Sequence, residues 1–169
     1  MAKIHTEIDH IYYGIMKELG WEAYVQGEQT KPIWFRIPQT TVQELCNILV
    51  NKFHLCGARI VGDPNGKVET VFICEHVQGR SHDYEVIAKA KEADVMIPLE
   101  IVDWTLTEYV RDACQLGINK AIIEMGHFNT EELGMEYMAK QLAKALEEEV
   151  PVRFIQSGDT YHYFVKETV

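Results

Sequence analysis

Three short apolar segments in the middle of the chain place the strongest constraint on its fold. They span residues 68–74, 94–98 and 120–125, and helical patterns separate each from the next. Because strands that alternate with helices form parallel sheets covered by helices, the sequence predicts an α/β fold with a mixed, largely parallel sheet flanked by helices. Residues 32–37 and 57–61 are further predicted strands. The β-rich segments nearer the termini are expected to add antiparallel edge strands.

The predicted helices begin and end at recognisable sequence signals. Ile and Leu recur at helical spacing over residues 4–19, and Gly20 is expected to end that helix. The Thr-x-x-Glu motifs at residues 41–44 and 105–108 predict capping boxes at the start of two further helices. Gly117 is expected to cap the second of these at its C-terminal end.

The last third of the chain is predicted to contain one long helix and two strands. Asn129 or Thr130 is expected to cap the helix, which extends in this prediction to about Glu149. Residues 151–156 and 161–165 are predicted strands on either side of a Ser-Gly-Asp turn.

Length and composition fit a single globular domain in the cytoplasm. The 169 residues are 47% apolar and 25% charged, and one α/β domain is predicted over residues 1–169, with residues 1–20 as an N-terminal helical extension. Charged or amide residues interrupt every apolar stretch, so no membrane association is expected, and the N-terminus lacks the apolar core of a signal peptide. The four cysteines form no CxxC pair, which favours buried reduced thiols over a zinc ribbon or a thioredoxin-like site.

The charge balance argues against nucleic acid as a partner. Lys and Arg number 16 against 26 Asp and Glu, a net charge of −10, and no basic cluster offsets it. Local acidic density is instead expected to attract a metal cation or a basic surface. A homo-oligomer and a small-molecule ligand are the expected partners.

Residues of the types that bind metal ions follow three of the predicted strands. If these strands are parallel and adjacent, their carboxyl ends meet at one edge of the sheet, which is where open α/β sheets bind ligands. A mixed set of imidazoles and carboxylates suits Zn, Mn or Fe better than Ca. The residues concerned are Glu75 and His76, then Glu100 and Asp103, then His127 and Glu131.

The segment Gly126-His127-Phe128-Asn129-Thr130-Glu131 carries the sharpest of these signals. Gly126 permits a backbone turn out of the strand, so that His127 and Glu131 can both reach a point above the strand end. The alternative is structural, because the helix dipole also favours Glu in a first turn and a His at a strand end is often only hydrogen-bonded. No Ser-His-Asp set, Walker loop or GxGxxG loop is present.

These residues resemble a known family, the Nif-three-like metal-centre proteins, often named GTP cyclohydrolase I type 2. The segments 117–119 and 126–131, with the long helix that follows, are similar to the C-terminal part of that family. Residues 93–101 resemble an upstream acidic segment of the family, with Glu100 at its acidic position, and the strand at 71–74 matches by pattern. The resemblance covers residues 37–164.

The resemblance implies a fold of two related α/β halves that enclose a two-metal site, assembled as a toroidal hexamer. In the family, a His-His pair and an Asp from the first half hold the metals together with the His and Glu of the GHxxTE-like motif. The last two carry over to His127 and Glu131. Since only the C-terminal part is matched, the implied fold is one half of the family fold.

The chain also departs from the family pattern. It has no His-His-Pro motif, residues 75–82 replace a Gly-Ser-rich loop, and residues 102–104 replace a Lys-His-His-like stretch. A complete family-type dinuclear site is therefore not expected from this chain or from copies of it.

Two interpretations remain open at this point. In the first, the protein keeps a reduced, single-metal site built on His127 and Glu131 with His76 or Glu100, and acts as a metal-dependent hydrolase of a small anionic substrate. The metal is expected to be Zn, Fe or Mn. In the second, the protein has lost the metal centre and is a non-catalytic interaction or regulatory protein with no cofactor.

Overall fold

The computed structural model describes residues 8–79, 81 and 83–165, and contains one five-stranded sheet with helices on both faces. The strands are β1 Trp34–Thr41, β2 Arg59–Gly62, β3 Lys67–Cys74, β4 Val95–Pro98 and β5 Ala121–Glu124. The helices are α1 His10–Leu19, α2 Val42–Lys52, α3 Asp83–Ala90, α4 Glu108–Gln115 and α5 His127–Ala145, with a 3-10 turn at Glu22–Tyr24 and a π-helical turn at Asp103–Thr107.

The sheet has the order β1-β3-β4-β5-β2. The three central strands β3, β4 and β5 are parallel, while β1 pairs with β3 and β2 pairs with β5 in antiparallel fashion. The predicted α/β fold with a mixed sheet flanked by helices is confirmed, and both edge strands are the antiparallel ones.

The core lies on both faces of the sheet, because successive residues of the central strands point to opposite sides. Val95 and Ile97 of β4 face a cluster with α1, α2 and α5, whereas Met96 faces a cluster with α3 and α4. All four residues of β4 are buried, as expected of a central parallel strand.

Helix α1 crosses α5 at a point where both helices have glycine. A Cβ on Gly134 would lie 2.4 Å from the Cα of Ile11, and a Cβ on Gly14 would lie 2.7 Å from the Cα of Gly134. The two backbones therefore touch, and this contact fixes α5, which carries His127, against the first helix. The predicted stop of α1 at Gly20 is confirmed by its left-handed φ of 68°.

The helix-start predictions had mixed success. Thr41 and Glu44 form the predicted capping box of α2. The predicted box at residues 105–108 is wrong, because the Thr105 hydroxyl donates to the carbonyl of Val102 and the chain makes a π-helical turn before α4 begins at Glu108. Gly117, with φ 76°, follows the end of α4 as predicted.

The start and end of α5 also differ from the prediction. The residue that caps α5 is Gly126, and neither Asn129 nor Thr130 does so, because both lie buried inside the first turn. The Thr130 hydroxyl donates to the carbonyl of Gly126 at 2.7 Å. The helix ends at Ala145, four residues before the predicted Glu149.

The two strands predicted at residues 151–156 and 161–165 are wrong, because this stretch is irregular. Side chains of α5 bond its backbone instead of a neighbouring strand. Glu132 accepts from the amide of Ser157 at 2.9 Å, and Asn129 accepts from the amide of Thr160 at 3.3 Å. Residues 151–165, called the C-terminal segment below, are thus attached to α5 by buried polar groups.

Several predictions concern parts of the chain that are outside the described residues, namely residues 4–7 of the predicted first helix and the residues at 80 and 82. Of the helices that are described, none combines the length and the apolar character needed to cross a membrane. Burial raises the pKa of the Cys74 thiol to about 12. Cys46 and Cys74 are buried free thiols as predicted, whereas Cys56 is exposed and Cys114 is only partly buried.

Gly134→Ala is expected to lower the free energy of unfolding by about 2 kcal/mol, since it forces apart two backbones in contact. Ala normally favours a helix interior over Gly by about 1 kcal/mol, so a loss identifies the steric clash. Urea unfolding followed by circular dichroism measures it. Lys144→Ala, on the exposed side of α5, is the control. An unchanged or higher stability of Gly134→Ala would contradict the packing of α1 on α5.

Asp159→Asn is expected to lower the free energy of unfolding by about 1 kcal/mol at pH 7. Its carboxylate accepts from the amides of Cys56 and Tyr161 and from Asn129. Burial raises the pKa of Asp159, but these hydrogen bonds outweigh burial and hold the pKa below its usual value. An amide offers only one acceptor oxygen, so the variant loses at least one of these contacts.

The same substitution has a defined pH dependence. Because the folded pKa of Asp159 lies below the unfolded value, its contribution is fully present above about pH 4 and is lost as the pH falls through the folded pKa. Urea unfolding at pH 7 and pH 3 should show the difference between wild type and variant shrinking at the lower pH. Asp112→Asn, on the exposed surface of α4, should show little difference at either pH.

Candidate metal centre

The site lies at the carboxyl edge of the three parallel strands. Strand β3 leads into His76, β4 leads into Glu100, and β5 leads through Gly126 into His127. Two backbone hydrogen bonds continue the pairing of β3 and β4 past their ends, from Val77 to Glu100 at 2.8 Å and from Val102 to Val77 at 2.9 Å. The loops that carry His76 and Glu100 are therefore held side by side.

Gly126 is the residue that turns the chain from β5 into α5. Its φ of 91° is strained for any residue with a side chain, and a Cβ there would lie 2.6 Å from the ring of Tyr161. The turn places His127 at the first position of α5 and Glu131 one turn later on the same face. The role predicted for Gly126 from the sequence thus matches its backbone geometry.

Three side chains predicted from the sequence come together above this edge. The Nε2 atoms of His76 and His127 are 3.1 Å apart. One carboxylate oxygen of Glu131 lies 3.7 Å from Nε2 of His76 and 3.4 Å from Nε2 of His127. Among the described residues, these three form the group whose donor atoms could hold a metal ion.

The spacing of these three atoms fits a metal ion. The three atoms lie 3.1 to 3.7 Å from one another, which is close to the separation of neighbouring ligand atoms around a zinc ion bound at about 2.0–2.1 Å. The set of two imidazoles and one carboxylate also matches the ligands that Zn and Fe accept. Without an ion, one ring can donate a hydrogen bond to the other when its Nε2 carries the proton.

Glu100 lies near the group but on its outer side. Its carboxylate is 3.4 Å from Nδ1 of His127, the ring nitrogen that faces away from His76 and Glu131. The amide of Gln78 donates to the same carboxylate at 2.7 Å, and this bond lowers the pKa of Glu100, with the rings of His127 and His76 adding to the effect. Glu100 is therefore charged at neutral pH and contacts the outer nitrogen of His127, while its carboxylate is outside the group of three donors.

The other two carboxylates predicted for this edge bond elsewhere. Glu75 pairs with Lys31, and Asp103 lies 3.5 Å from the guanidinium of Arg59. The π-helical turn that begins at Asp103 carries this carboxylate toward β2. Neither residue is among the three grouped donors.

Sequence reasoning missed two residues that support the site. Gln78 fixes Glu100, and Asn129 fixes the first turn of α5 by donating to the carbonyl of Met125 at 2.8 Å. Gln78 gave no signal because an amide in a polar loop is common. The sequence predicts Asn129 as a candidate helix cap, whereas in the structure Asn129 is buried between α5 and the C-terminal segment.

The centre is open to solvent on one side. The side chains of His76, His127 and Glu131 are 34%, 42% and 30% exposed. Two carboxylates, Glu100 and Glu131, flank two imidazoles, so the local charge favours a cation. A ligand of small size can therefore reach the three donor atoms from outside.

Comparison with known proteins identifies relatives over most of the chain. The model of the family Duf34/NIF3 (NGG1p interacting factor 3) matches residues 3–160. A "GTP cyclohydrolase 1 type 2 homolog" of Clostridium acetobutylicum is 29% identical over 131 residues, which are 78% of this chain and 42% of that protein. This chain therefore spans less than half the length of that curated relative.

Solved structures share the fold at low sequence identity. Protein SA1388 of Staphylococcus aureus superposes with a TM-score of 0.59 at 14% identity, over 92% of this chain and 65% of that one. A Bacillus cereus protein related to NIF3 superposes with a TM-score of 0.57 at 21% identity, over 78% of this chain and 35% of that one. TTHA1606 from Thermus thermophilus superposes with a TM-score of 0.57 at 17% identity, over 83% of this chain and 54% of that one. With the family match over residues 3–160, the resemblance seen in the sequence is confirmed: the chain belongs to the Duf34/NIF3 family.

Proposed function

We propose that this protein binds one divalent metal ion through His76, His127 and Glu131, and that it hydrolyses a small anionic substrate at that centre. The observation that carries the proposal is the spacing of the three donor atoms, 3.1 to 3.7 Å, at an open edge of the sheet. Three protein ligands leave at least one coordination position free, which is the arrangement of catalytic rather than structural zinc sites. The name of the Clostridium relative is consistent with hydrolytic chemistry.

A bound divalent ion supplies Lewis acidity, which promotes deprotonation of water and polarises a carbonyl or phosphoryl oxygen. The protein's own residues have separate roles. The carboxylate of Glu100, 3.4 Å from Nδ1 of His127, would favour the tautomer with its proton on Nδ1, which leaves the Nε2 lone pair for a metal ion. Gln78 holds Glu100 in that position.

The donor set indicates a group of suitable metals rather than one metal. Two neutral imidazoles and one carboxylate suit Zn, Fe and Mn, and disfavour Ca, which takes oxygen ligands. A divalent cation in this centre would neutralise the charges of Glu100 and Glu131, so an anionic substrate would meet no net repulsion when it binds the metal. The competing function, a non-catalytic interaction protein without a metal, makes opposite predictions for the tests below.

Wild-type protein is expected to bind one Zn²⁺ per chain in a calorimetric titration, and to melt at a higher temperature when Zn²⁺ is present. His127→Ala and Glu131→Gln each remove one of three donors, so both should lose stoichiometric binding and the thermal shift. Turnover of p-nitrophenyl phosphate or GTP should require both the metal and His127, and EDTA should abolish it.

His54→Asn is the matched control for these variants. His54 is exposed and has a left-handed φ of 55°, which Asn tolerates. It should bind Zn²⁺ like the wild type. Absence of binding by Zn²⁺, Fe²⁺ and Mn²⁺ in wild type would refute the metal centre and support the non-catalytic function. Metal binding without any turnover would refute the hydrolase but leave the centre.

Glu100→Gln is expected to weaken Zn²⁺ binding about tenfold or more without changing its stoichiometry. Its charge no longer stabilises the proton on Nδ1 of His127, but all three donors remain. Competition titration against a fluorescent zinc chelator measures the affinity. Glu92→Gln, an exposed carboxylate beyond α3, is the control. A change in stoichiometry would mean that Glu100 is itself a ligand.

A further inference from the structure

An apolar groove opens directly beside the three donors. It is open to solvent and has a volume of about 610 Å³, within the range of small-molecule sites. His127 and Glu131 line one end of it, so the groove and the candidate metal centre share two residues. Its apolar lining consists of Phe128, Met135, Phe154 and Ile155.

One wall of the groove is the face of α5 that carries the metal donors. Residues His127, Glu131 and Met135 follow one another at intervals of four, so they lie along one stripe of the helix. Phe128 stands beside this stripe and is 51% exposed, and Met135 is 38% exposed. Single exposed apolar side chains are common, but these two lie next to a polar site rather than scattered.

The opposite wall is the C-terminal segment, which hydrogen bonds attach to α5. Ile155 is 83% exposed and lines the groove together with Phe154. Glu132, which is only 6% exposed, accepts from the Ser157 amide at 2.9 Å and from the Gln156 side chain at 3.3 Å. A buried carboxylate on α5 thus holds both walls together, which makes the groove a built feature of the fold.

We propose that this groove binds the apolar, aromatic part of a small molecule whose anionic head binds the metal. The inference rests on the proposed metal centre and names the substrate class for it. No Lys or Arg is among the described residues that line the groove, so in this proposal the bound metal ion supplies the positive charge for the anionic head. Polar groups at one end and apolar walls along the rest are typical of sites for amphipathic small molecules.

Two hydroxamates with the same metal-binding head separate the two parts of the site. Acetohydroxamate reports on the centre alone, and 2-naphthohydroxamate adds an aromatic body. With Zn²⁺-loaded wild type, naphthohydroxamate should bind at least about tenfold more tightly than acetohydroxamate, because its rings lose contact with water in the groove. Isothermal titration with each compound gives the ratio.

Phe128→Ala/Ile155→Ala should reduce that ratio to within about threefold, since both removed side chains line the groove. The acetohydroxamate affinity serves as the check that the centre is intact. Leu116→Ala/Ile118→Ala removes two exposed apolar side chains outside the groove and should keep the full ratio. A ratio near one in wild type, or an unchanged ratio in the groove variant, would overturn the inference.

Failure of the metal centre is distinguishable from failure of the groove. The Zn²⁺ titration precedes the addition of hydroxamate, so an absent metal site appears there and overturns both proposals. If naphthohydroxamate bound equally well with and without Zn²⁺, its head would not bind the metal, and the inference would be overturned while the metal centre itself would stand. The groove could instead be covered by a second copy of the chain. Sedimentation would then show a dimer that Phe128→Ala/Ile155→Ala dissociates, and the two hydroxamates would bind equally well. That result would also overturn the inference.

Discussion

The parallel alignment of β3, β4 and β5 is the constraint on which the candidate site depends. Parallel strands end at the same edge of a sheet, so the residues that follow them are brought together although they are far apart in sequence. His76 and His127 are separated by 51 positions, yet their Nε2 atoms are 3.1 Å apart. A change of direction in any one of these strands would carry its donor to the opposite edge.

A second set of contacts connects this edge to the rest of the fold through α5. The helix is held on one side by the backbone contact of Gly134 with Ile11, and on the other by Glu132 and Asn129, which bond the C-terminal segment. Buried polar side chains need partners, and here the partners are amides of an irregular stretch. The positions of His127 and Glu131 therefore depend on packing well outside the site.

The sequence predicted the central sheet and the meeting of its ligands because both follow from short-range patterns. Apolar runs marked β3, β4 and β5, and polar residues after them marked the edge. The predictions from the sequence failed where tertiary contacts decide the local structure. Asn is a common helix-cap residue, but Asn129 is buried against the C-terminal segment. Asp is a common metal ligand, but Asp103 pairs with Arg59. Residues 151–165 have strand-forming side chains, but they bond to α5 and form no strand.

The departures from the family pattern acquire a physical meaning in this arrangement. The His-His pair implied by the resemblance is absent, yet a second imidazole lies beside His127, because β3 ends next to β4 and delivers His76 to the same edge. Three donors then come from one chain that spans 42% of its Clostridium relative. The proposed single-metal site rests on these three donors, which are the described residues that could hold a metal ion together. The loop at residues 75–79, rather than the absent motif, is thus the part of the chain on which a metal centre in this protein would depend.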